Sequence, residues 1–277
     1  MELARRAQPW LGTLVEIVLG KNDDSFFESA FSQIAEVHKR MSYHADNSDL
    51  ADLRRLAPGI SVTVSSHTVA VLRLAKRLYH ETAGLFDISV GRKLVATGCL
   101  PRVDGRHLTY FNGGVNDIEV VDDTHVRCHR PILIDLGGIA KGYAVDLAIA
   151  SLTQSGCTYA VVNAGGDLRH IGSKSETIWL RGANGIVSYK LQINNMAVAT
   201  SSNLLFRRVS RGVSVSPHIG RDHKPLLVDT ATTVIAPECA FADAMTKVGM
   251  ADSALAEKML NPVGGSLITI PNQEDAT

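Results

Sequence analysis

The most informative absences in this 277-residue sequence concern cysteine pairs, long apolar runs and an excess of charge of either sign. Its four cysteines are far apart and form no C-x-x-C pair, so their spacing indicates neither a zinc site nor a dithiol redox centre. No apolar run approaches the roughly 18 residues that a membrane-spanning helix needs, so we expect no membrane span. Lysine plus arginine equals aspartate plus glutamate at 28 each, a balance that argues against a nucleic-acid-binding face.

The composition and the early part of the chain set further expectations. Hydrophobic residues make up 45% of the sequence and charged residues 20%, so the chain can bury a substantial core. Alternation over 11–19 predicts a strand, and apolar residues at helical spacing over 66–83 predict a helix. Pro9 and Glu16 interrupt the N-terminal stretch, which therefore lacks the pattern of a signal peptide. We expect a cytoplasmic protein with reduced thiols, or a periplasmic one if a leader has been removed.

The central feature of the sequence is the stretch 131–155, PILIDLGGIAKGYAVDLAIASLTQS. The continuous apolar run 132–134 predicts a short strand that is buried on both faces. The Gly-Gly pair at 137–138 predicts a turn, because glycine permits positive φ angles and close approach of another group to the backbone. The apolar spacing over 144–152 then predicts a helix that ends before Gly156.

A strand, a glycine turn and a helix start, in this order, favour an anion-binding site. The first N–H groups of a helix have no partner within the helix and lie at the positive end of its dipole. Lys141 falls in the first turn of the predicted helix and adds a positive charge, while Asp135 falls at the end of the predicted strand. The alternative is that the two glycines serve packing alone. The stretch has neither a Walker ending nor a G-x-G-x-x-G pattern, which argues against a nicotinamide-dependent oxidoreductase.

Two other stretches carry candidate binding residues. The polar loop 41–50 holds adjacent rings at Tyr43 and His44, which could both stack on a planar ligand; alternatively, one ring is exposed and the other packs on the body of the protein. A second apolar strand, 159–164, is followed by a Gly-Gly pair and Asp167. Two strand-Gly-Gly units about 28 residues apart could face each other across one crevice.

A later helix is predicted to begin near Pro237 and carries an acid–base pair. Asp243 and Lys247 are four residues apart, so they share one face of this helix. One interpretation is an ordinary helical pair that contributes roughly a few tenths of a kcal/mol. Upstream of this helix, His218 is an isolated histidine, and such histidines are more often structural than catalytic.

Eight short motifs follow one another along nearly the whole chain: LGT (11–13), MSYHADNSDL (41–50), GLFDISVG (84–91), IDLGGIAKGYAVD (134–146), NAGGDLR (163–169), ATSSN (199–203), a histidine at residue 218 and APECAFADAM (236–245). Each motif is weak by itself, but the eight in this order are specific. Together they resemble the ApbE-type FAD:protein FMN transferases, and the central IDLGGIAKGYAVD carries most of the resemblance.

The resemblance implies an α+β fold in a single ApbE-like domain over 1–277. In this fold, two related β–α–β units with additional antiparallel strands have a crevice for FAD between them. The implied reaction is phosphoryl transfer: a Thr or Ser hydroxyl of an acceptor flavoprotein attacks the phosphorus on the FMN side of FAD, and AMP leaves. A magnesium ion at the pyrophosphate is expected from the family, where it neutralises charge that develops in the transition state.

The same resemblance, carried over motif by motif, implies roles for individual residues. His218 matches the histidine that is proposed as the base for the proton of the acceptor hydroxyl. Gly138 falls where a backbone carbonyl holds the metal, and Asp243 falls where a carboxylate of the catalytic site holds it. Nine further residues fall at positions that contact FAD: Leu11, Tyr43, His44, Leu85, Phe86, Asp87, Asp135, Lys141 and Asp167.

The sequence departs from the family pattern at Lys247, where the family has a metal-binding threonine. An ammonium group has no lone pair to offer and repels a cation. The neighbouring Thr246 is rotated by about 100° around the helix and should point elsewhere. We hypothesise that Lys247 pairs with Asp243 and supplies positive charge where magnesium would lie, so that magnesium binding is weakened or absent.

A second departure keeps other functions open. After His218 the chain reads Ile-Gly-Arg-Asp-His-Lys-Pro, where the family reads roughly Ile-x-Asp-Pro-x-Thr-Gly, so the region of the base and of acceptor docking is altered. The leading prediction is FMN transfer. The alternatives are a homologue that binds FAD with weakened or lost transfer, and an FAD pyrophosphatase that yields FMN and AMP and would need an ordered water and a working metal site.

Overall fold

The computed structural model of the protein describes residues 2–272 except 104, 211 and 221, without the side chains of residues 22 and 205. The chain forms two compact units. That both units belong to a single functional domain over 1–277 stays a prediction. Unit 1 consists of Met1–Glu36, Lys141–Phe206 and Leu227–Thr277, and unit 2 consists of Val37–Ala140 and Arg207–Leu226.

Helices occur where the apolar spacing predicts them. The helix predicted over 66–83 is observed as Ser66–Glu81, and the hydroxyl of Ser65 caps it by accepting a hydrogen bond from the His67 N–H group. The central helix begins at Ala140, so Lys141 lies in its first turn as predicted. In the described part of the chain, no helix is long and apolar enough to cross a membrane. The α-helices are α1 (Phe27–Met41), α2 (Asp49–Arg55), α3 (Ser66–Glu81), α4 (Gly91–Ala96), α5 (Ala140–Gln154), α6 (Cys239–Ala251) and α7 (Ser253–Leu260), and short 3-10 helices span Lys21–Phe26, Ile88–Val90, Leu108–Tyr110, Val115–Asp117, Leu204–Phe206 and Asn261–Val263.

The strand predicted over 11–19 is observed from Thr13 onward, as the second strand of a hairpin. Leu11 and Gly12, with φ angles of 56° and 73°, form the two-residue turn. The first strand was not predicted, because its side chains are largely exposed and show no apolar alternation. The strands are β1 (Leu3–Trp10), β2 (Thr13–Gly20), β3 (Ser61–Thr63), β4 (Ile118–Val120), β5 (His125–Cys128), β6 (Ala160–Ala164), β7 (Asp167–Ile171), β8 (Glu176–Arg181), β9 (Val187–Ile193), β10 (Ala197–Ser201), β11 (Arg208–Ser210), β12 (Val213–Val215), β13 (Thr230–Ala236) and β14 (Ser266–Pro271).

Seven strands form one sheet in unit 1, in the order β1-β2-β6-β7-β10-β13-β14. Every neighbouring pair in this order is antiparallel. Helix α6 packs against β10 and β13. The β8–β9 ribbon contributes Leu180 to a buried apolar cluster with Leu168 of β7 and Val198 of β10. This combination of helices with an antiparallel sheet confirms the predicted α+β fold class, while the FAD crevice stays a prediction.

Strand β7 shows how the sheet positions charged side chains. Successive residues of a strand point to opposite faces. Leu168 packs in the apolar cluster on one face. Its neighbours Asp167 and Arg169 point to the other face, where they meet Lys141 and Asp146 of α5. Strand β7 therefore places a carboxylate and a guanidinium group, Asp167 and Arg169, against α5.

The two Gly-Gly pairs of the sequence have different structures. The pair at 165–166 has φ angles of 68° and 106° and forms the turn between β6 and β7, so it joins two strands and leads into no helix. The glycines at 137–138 have no positive φ, and the buried run 132–134 belongs to no strand. The segment 131–135 makes single backbone hydrogen bonds in place of a strand ladder. One of them runs from the Asp135 N–H group to the Ile88 carbonyl oxygen (2.9 Å). The predicted turn at 137–138 is observed, whereas the predicted strand is wrong, because burial of an apolar run does not require a pairing strand.

Unit 2 combines α2, α3 and α4 with the three-stranded sheet β3-β5-β4 and the β11–β12 hairpin. The buried carboxylate of Asp49 joins α2 to the start of α3, because it accepts hydrogen bonds from the Ser65 N–H group (2.8 Å) and the Thr68 hydroxyl (2.6 Å). The hydroxyl of Ser48 donates to the Ser42 carbonyl oxygen at 2.6 Å. These contacts fix the loop 41–50 that carries the two adjacent rings.

His170 on β7 is fully buried, and its surroundings favour the neutral imidazole. Its Nδ1 accepts a hydrogen bond from the Asn195 N–H group at 3.2 Å, and its ring meets the Tyr159 ring edge to face at 5.5 Å. Its Nε2 has no hydrogen-bond partner among the described residues. Burial lowers the pKa of His170, and the negative charge of Glu176 opposes this effect only in part.

We expect His170 to make the protein less stable as the pH falls below about 6.5. The unfolded chain takes up a proton on this histidine near pH 6.5, whereas the folded protein resists protonation, so the difference costs up to about 1.4 kcal/mol per pH unit. Urea unfolding between about pH 7.5 and pH 5.5 should show a smaller pH slope for His170→Gln than for the parent. His80→Gln, at an exposed position of α3, is the matched control and should keep the parental slope. A His170→Gln slope equal to that of the parent would contradict this assignment.

Candidate functional site

Two lysines and two aspartates of unit 1 form what we call the charge cluster: Lys141, Asp167, Asp243 and Lys247. Lys141 donates to the Asp167 carboxylate, and its Nζ lies 3.6 Å from Oδ2 of Asp243. Lys247 donates to Oδ1 of Asp243, which confirms the predicted pair. The side chains of Asp167 and Asp243 are 4% and 0% exposed, whereas those of Lys141 and Lys247 are 29% and 19% exposed.

Three elements bring the charge cluster together. Lys141 lies in the first turn of α5, and Asp167 begins β7 directly after the hairpin turn. The other two members lie four residues apart on α6 and so share one face. Gly142 permits the close approach of α5 to α6, because a Cβ at this position would lie 2.6 Å from the carbonyl carbon of Cys239.

The charge cluster contains two positive and two negative groups, so its net charge is zero. Burial alone would raise the pKa of Asp243, but the charges of Lys141 and Lys247 outweigh it and lower the pKa. Burial together with the neighbouring Asp243 raises the pKa of Asp167, so Asp243 is the more acidic carboxyl group. Burial would also lower the pKa of Lys141, but the two carboxylates outweigh it and raise the pKa. This mutual compensation is what allows ionised groups to be buried.

A second set of contacts fixes the same three elements. Asp146 of α5 accepts hydrogen bonds from the N–H groups of Cys239 and Ala240 at 2.9 and 2.8 Å. It also accepts a hydrogen bond from Arg169 of β7 at 2.7 Å. The residue before α6, Glu238, makes no side-chain cap. Asp146 therefore serves as the acceptor for the start of α6 and holds it against α5 and β7.

Asp146 and Arg169 are residues of the site that were not predicted from the sequence. A signal was available, because both end motifs already singled out, IDLGGIAKGYAVD and NAGGDLR. A second signal is that the start of α6 has no Ser, Thr, Asp or Asn of its own in the capping position, so its N–H groups need an acceptor from elsewhere in the chain.

The donor atoms around Asp243 do not fit a magnesium ion. Magnesium takes oxygen ligands in a near-octahedral arrangement. Oδ1 of Asp243 is bound to Lys247, and Oδ2 faces the Gly142 N–H group at 3.4 Å and Lys141 at 3.6 Å. Over the described ranges, no group of three or more His, Cys, Asp or Glu side chains could hold a metal ion. The surroundings of Asp243 therefore consist of positive groups and hydrogen-bond donors, the opposite of a cation site.

Thr246 points away from the expected metal position, in agreement with its rotation around the helix. Its hydroxyl lies 2.6 Å from the Asp243 carbonyl oxygen and 2.7 Å from the Ser201 hydroxyl, and the residue is fully buried. Thr246 therefore does not replace the missing threonine ligand. The other expected ligand, the carbonyl of Gly138, belongs to unit 2, and its role stays a prediction.

Three N–H groups at the turn and at the start of α5, which the sequence predicted to be unpaired, have acceptors in the protein. The Gly137 N–H group donates to Oδ1 of Asp135 at 3.1 Å. The N–H groups of Ile139 and Ala140 both donate to the Leu136 carbonyl oxygen, at 3.0 and 2.9 Å. The expectation of an anion cradle built from these three N–H groups is wrong, because the tight turn before the helix already uses them.

The adjacent rings of the loop 41–50 follow the second of the two interpretations. Tyr43 is buried, at 6% exposure, and its hydroxyl donates to the Pro101 carbonyl oxygen at 3.2 Å. His44 is exposed and meets the Tyr43 ring edge to face, with 5.7 Å between the ring centroids. One ring therefore packs on the body of unit 2, and the other is available at the surface.

The predicted contacts Leu85, Phe86 and Asp87 lie beside Asp135 in unit 2. The N–H group of Asp135 donates to the Ile88 carbonyl oxygen at 2.9 Å, which joins the motifs GLFDISVG and IDLGGIAKGYAVD. Leu85 and Phe86 are buried. Asp87 and Asp135 are half-buried, so these two carboxylates are the polar groups of the set that reach the surface.

His218 lies in a loop of unit 2 that is closed by its own hydrogen bonds. Its N–H group donates to the Ser216 hydroxyl at 3.0 Å, and its carbonyl oxygen accepts from the Leu226 N–H group at 2.8 Å. Ile219 pairs with Pro225 in an isolated bridge. Two hydrogen bonds of its backbone therefore hold His218 although the sequence departs from the family there, and the role of this histidine as a base stays a prediction.

Unit 1 contains four of the residues that the resemblance implied. Leu11 lies in the turn between β1 and β2, beside the turn between β6 and β7: a Cβ at Gly165 would lie 3.0 Å from Cβ of Thr13. Leu11 and Asp167 therefore lie at the same end of the strands β2, β6 and β7. Lys141 and Asp243 contact Asp167 or each other in the charge cluster. Unit 2 contains the others: Tyr43, His44, Leu85, Phe86, Asp87, Asp135, Gly138 and His218.

The sequence and the fold match one family of known proteins. The sequence model of the ApbE family matches residues 11–263. The chain is 29% identical over 221 residues to the FAD:protein FMN transferase of Chlamydia pneumoniae, covering 73% of this chain and 68% of that protein. Its fold is similar to the apo form of the flavinyl transferase ApbE of Pseudomonas stutzeri (TM-score 0.82, 17% identity, 99% of this chain and 92% of the other). It is also similar to the ApbE protein of Thermotoga maritima (TM-score 0.83, 24% identity, 97% and 94%), and these likenesses confirm the predicted fold.

Proposed function

The chain belongs to the ApbE family, and we propose that it transfers FMN from FAD to a Thr or Ser hydroxyl of an acceptor flavoprotein, with release of AMP. The observation that carries the proposal is the convergence of three separate motifs in unit 1, where Lys141, Asp167 and Asp243 meet. The name of the relative from Chlamydia pneumoniae, which matches 73% of this chain, supports the same reaction.

In the proposed reaction, the hydroxyl oxygen of the acceptor forms a bond to the phosphorus atom on the flavin side of the pyrophosphate of FAD. The bond from that phosphorus to the bridging oxygen breaks, and AMP leaves with the electron pair on this oxygen. We assign His218 as the base that takes the proton of the acceptor hydroxyl. The remaining tasks of the protein are to hold FAD and to stabilise the negative charge of the phosphoryl groups.

We propose that the residues implied by the family motifs hold FAD in this chain. The exposed ring of His44 offers a stacking surface, and the buried Tyr43 fixes its orientation by an edge-to-face contact. The half-buried carboxylates of Asp87 and Asp135 offer hydrogen-bond acceptors for hydroxyl or N–H groups of the ligand. The other proposed contacts are Leu11, Leu85, Phe86, Lys141 and Asp167.

We expect an acceptor protein with a D-x-x-T-type segment to gain the mass of FMN when it is incubated with FAD and this protein. An equal amount of AMP should be released, and intact-mass spectrometry and chromatography measure the two products. His218→Ala should lower the transfer rate at least about 10²-fold, the usual contribution of a general base, and leave FAD affinity unchanged. His80→Ala, at an exposed position of α3, is the matched control and should transfer FMN at the parental rate.

The products separate the three functions that the sequence leaves open. AMP without modification of the acceptor would assign FAD hydrolysis in place of transfer. Bound FAD with neither product would assign a binding homologue. An acceptor whose target threonine is changed to valine must stay unmodified if the hydroxyl is the site of attachment.

A further inference from the structure

Lys247 completes the charge cluster without a metal ion. Each carboxylate has an ammonium partner of its own, since Asp167 has Lys141 and Asp243 has Lys247. Lys141 also lies 3.6 Å from Asp243, which links the two pairs. A divalent cation placed beside Asp243 would add two positive charges to a neutral and largely buried cluster, which is unfavourable unless a lysine leaves.

No hydroxyl next to Asp243 on α6 is available to take the lysine's place. Thr246 lies 2.6 Å from the Asp243 carbonyl oxygen and 2.7 Å from the Ser201 hydroxyl. Turning it toward the carboxylate would break both contacts inside the protein, where unpaired polar groups are destabilising. The spacing of four residues instead places the ammonium group of Lys247 directly on Asp243.

We infer that the ammonium group of Lys247 takes the place of a divalent cation beside Asp243, so that FAD binding and FMN transfer need no metal ion in this protein. The part that concerns transfer rests on the proposed function. The side chains of Lys141 and Lys247 are 29% and 19% exposed, so part of each lysine side chain reaches the surface of unit 1. Their ammonium groups provide positive charge for the phosphoryl oxygens of FAD. A chelator does not remove this charge, because both groups belong to the protein.

The first arm of the test measures metal affinity alone, with manganese(II) as a paramagnetic probe and electron paramagnetic resonance as the readout. The ligand-free parent should bind no manganese at up to millimolar concentration. Lys247→Thr leaves the cluster with one excess negative charge and adds a hydroxyl, so it should bind the ion at least about tenfold more tightly. Lys258→Thr, at an exposed position of α7, is the matched control and should behave like the parent. Lys247→Gln, which removes only the charge, provides a second variant if Lys247→Thr does not fold.

The second arm measures FAD affinity by calorimetry, and AMP release in the presence of the acceptor, in EDTA and in millimolar magnesium. Both quantities should agree within about twofold between the two conditions for the parent. For Lys247→Thr, the FAD affinity and the rate of AMP release should each be at least about tenfold lower than those of the parent in EDTA. Both quantities should recover in millimolar magnesium.

Two results would overturn the inference: a tenfold or greater loss of FAD affinity by the parent in EDTA, or manganese binding by the parent that Asp243→Asn abolishes. A parent that releases no AMP under either condition would overturn the proposed function instead. The manganese titration would still decide whether Lys247 stands in for the cation, so the two failures are distinguishable.

Discussion

Replacing Lys141 by methionine should lower the free energy of unfolding by about 3 to 5 kcal/mol, because it removes the ammonium group that two buried carboxylates share. Without it, Asp167 and Asp243 have only Lys247, and the charge cluster carries one excess negative charge. Methionine is an unbranched, flexible side chain like the lysine stem, so the change isolates the loss of charge. Urea unfolding followed by circular dichroism measures the difference.

The double variant Lys141→Met/Asp167→Asn tests whether charge is the cause. It removes one charge of each sign, so it should be more stable than Lys141→Met alone. Lys258→Met, at an exposed position of α7, is the control and should stay within about 0.5 kcal/mol of the parent. A loss of less than about 1 kcal/mol in Lys141→Met would contradict a cluster that depends on this ammonium group for its neutrality.

The charge cluster also shows which contacts can be predicted from sequence. The pair of Lys247 and Asp243 follows from helix geometry, because residues four apart lie on one face. Lys141 and Asp167 are 26 residues apart, on a helix and on a strand, and their contact depends on how α5 lies on the sheet. Periodicity carries no information on that arrangement. The sequence therefore placed Lys141 correctly in the first turn of the helix but could not predict its partner.

The errors in the central stretch have a related cause. The run 132–134 is apolar and buried, as predicted, but periodicity does not distinguish a buried strand from a buried irregular segment. The glycines at 137–138 and 165–166 look alike in sequence, yet one pair precedes a helix and the other joins two strands. The difference comes from the strands that pair on either side. Helices α3 and α5 were predicted well, because a helix makes its hydrogen bonds within one continuous stretch.

Gly142→Ala should destabilise the protein by about 3 kcal/mol, although alanine is the better helix former. In an exposed helix the same change would be stabilising by roughly 1 kcal/mol. Here a Cβ would lie 2.6 Å from the carbonyl carbon of Cys239 and 2.7 Å from the backbone nitrogen of Ala240. Both atoms belong to the backbone, so no side-chain rotation relieves the overlap, and α5 and α6 must move apart.

Separation of α5 and α6 should change the distances within the charge cluster, because the Gly142 N–H group faces Oδ2 of Asp243 at 3.4 Å. Gly142→Ala is therefore expected to lower both the free energy of unfolding in urea and the rate of AMP release. The control is Gly114→Ala, where φ is −124° and a Cβ would meet no atom within 4 Å, so stability should change by less than about 1 kcal/mol. A Gly142→Ala protein as stable as the parent would contradict this prediction. It would mean that α5 and α6 do not approach each other closely enough to need a glycine. The positions of Asp243 and Lys247 relative to Lys141 would then need another explanation.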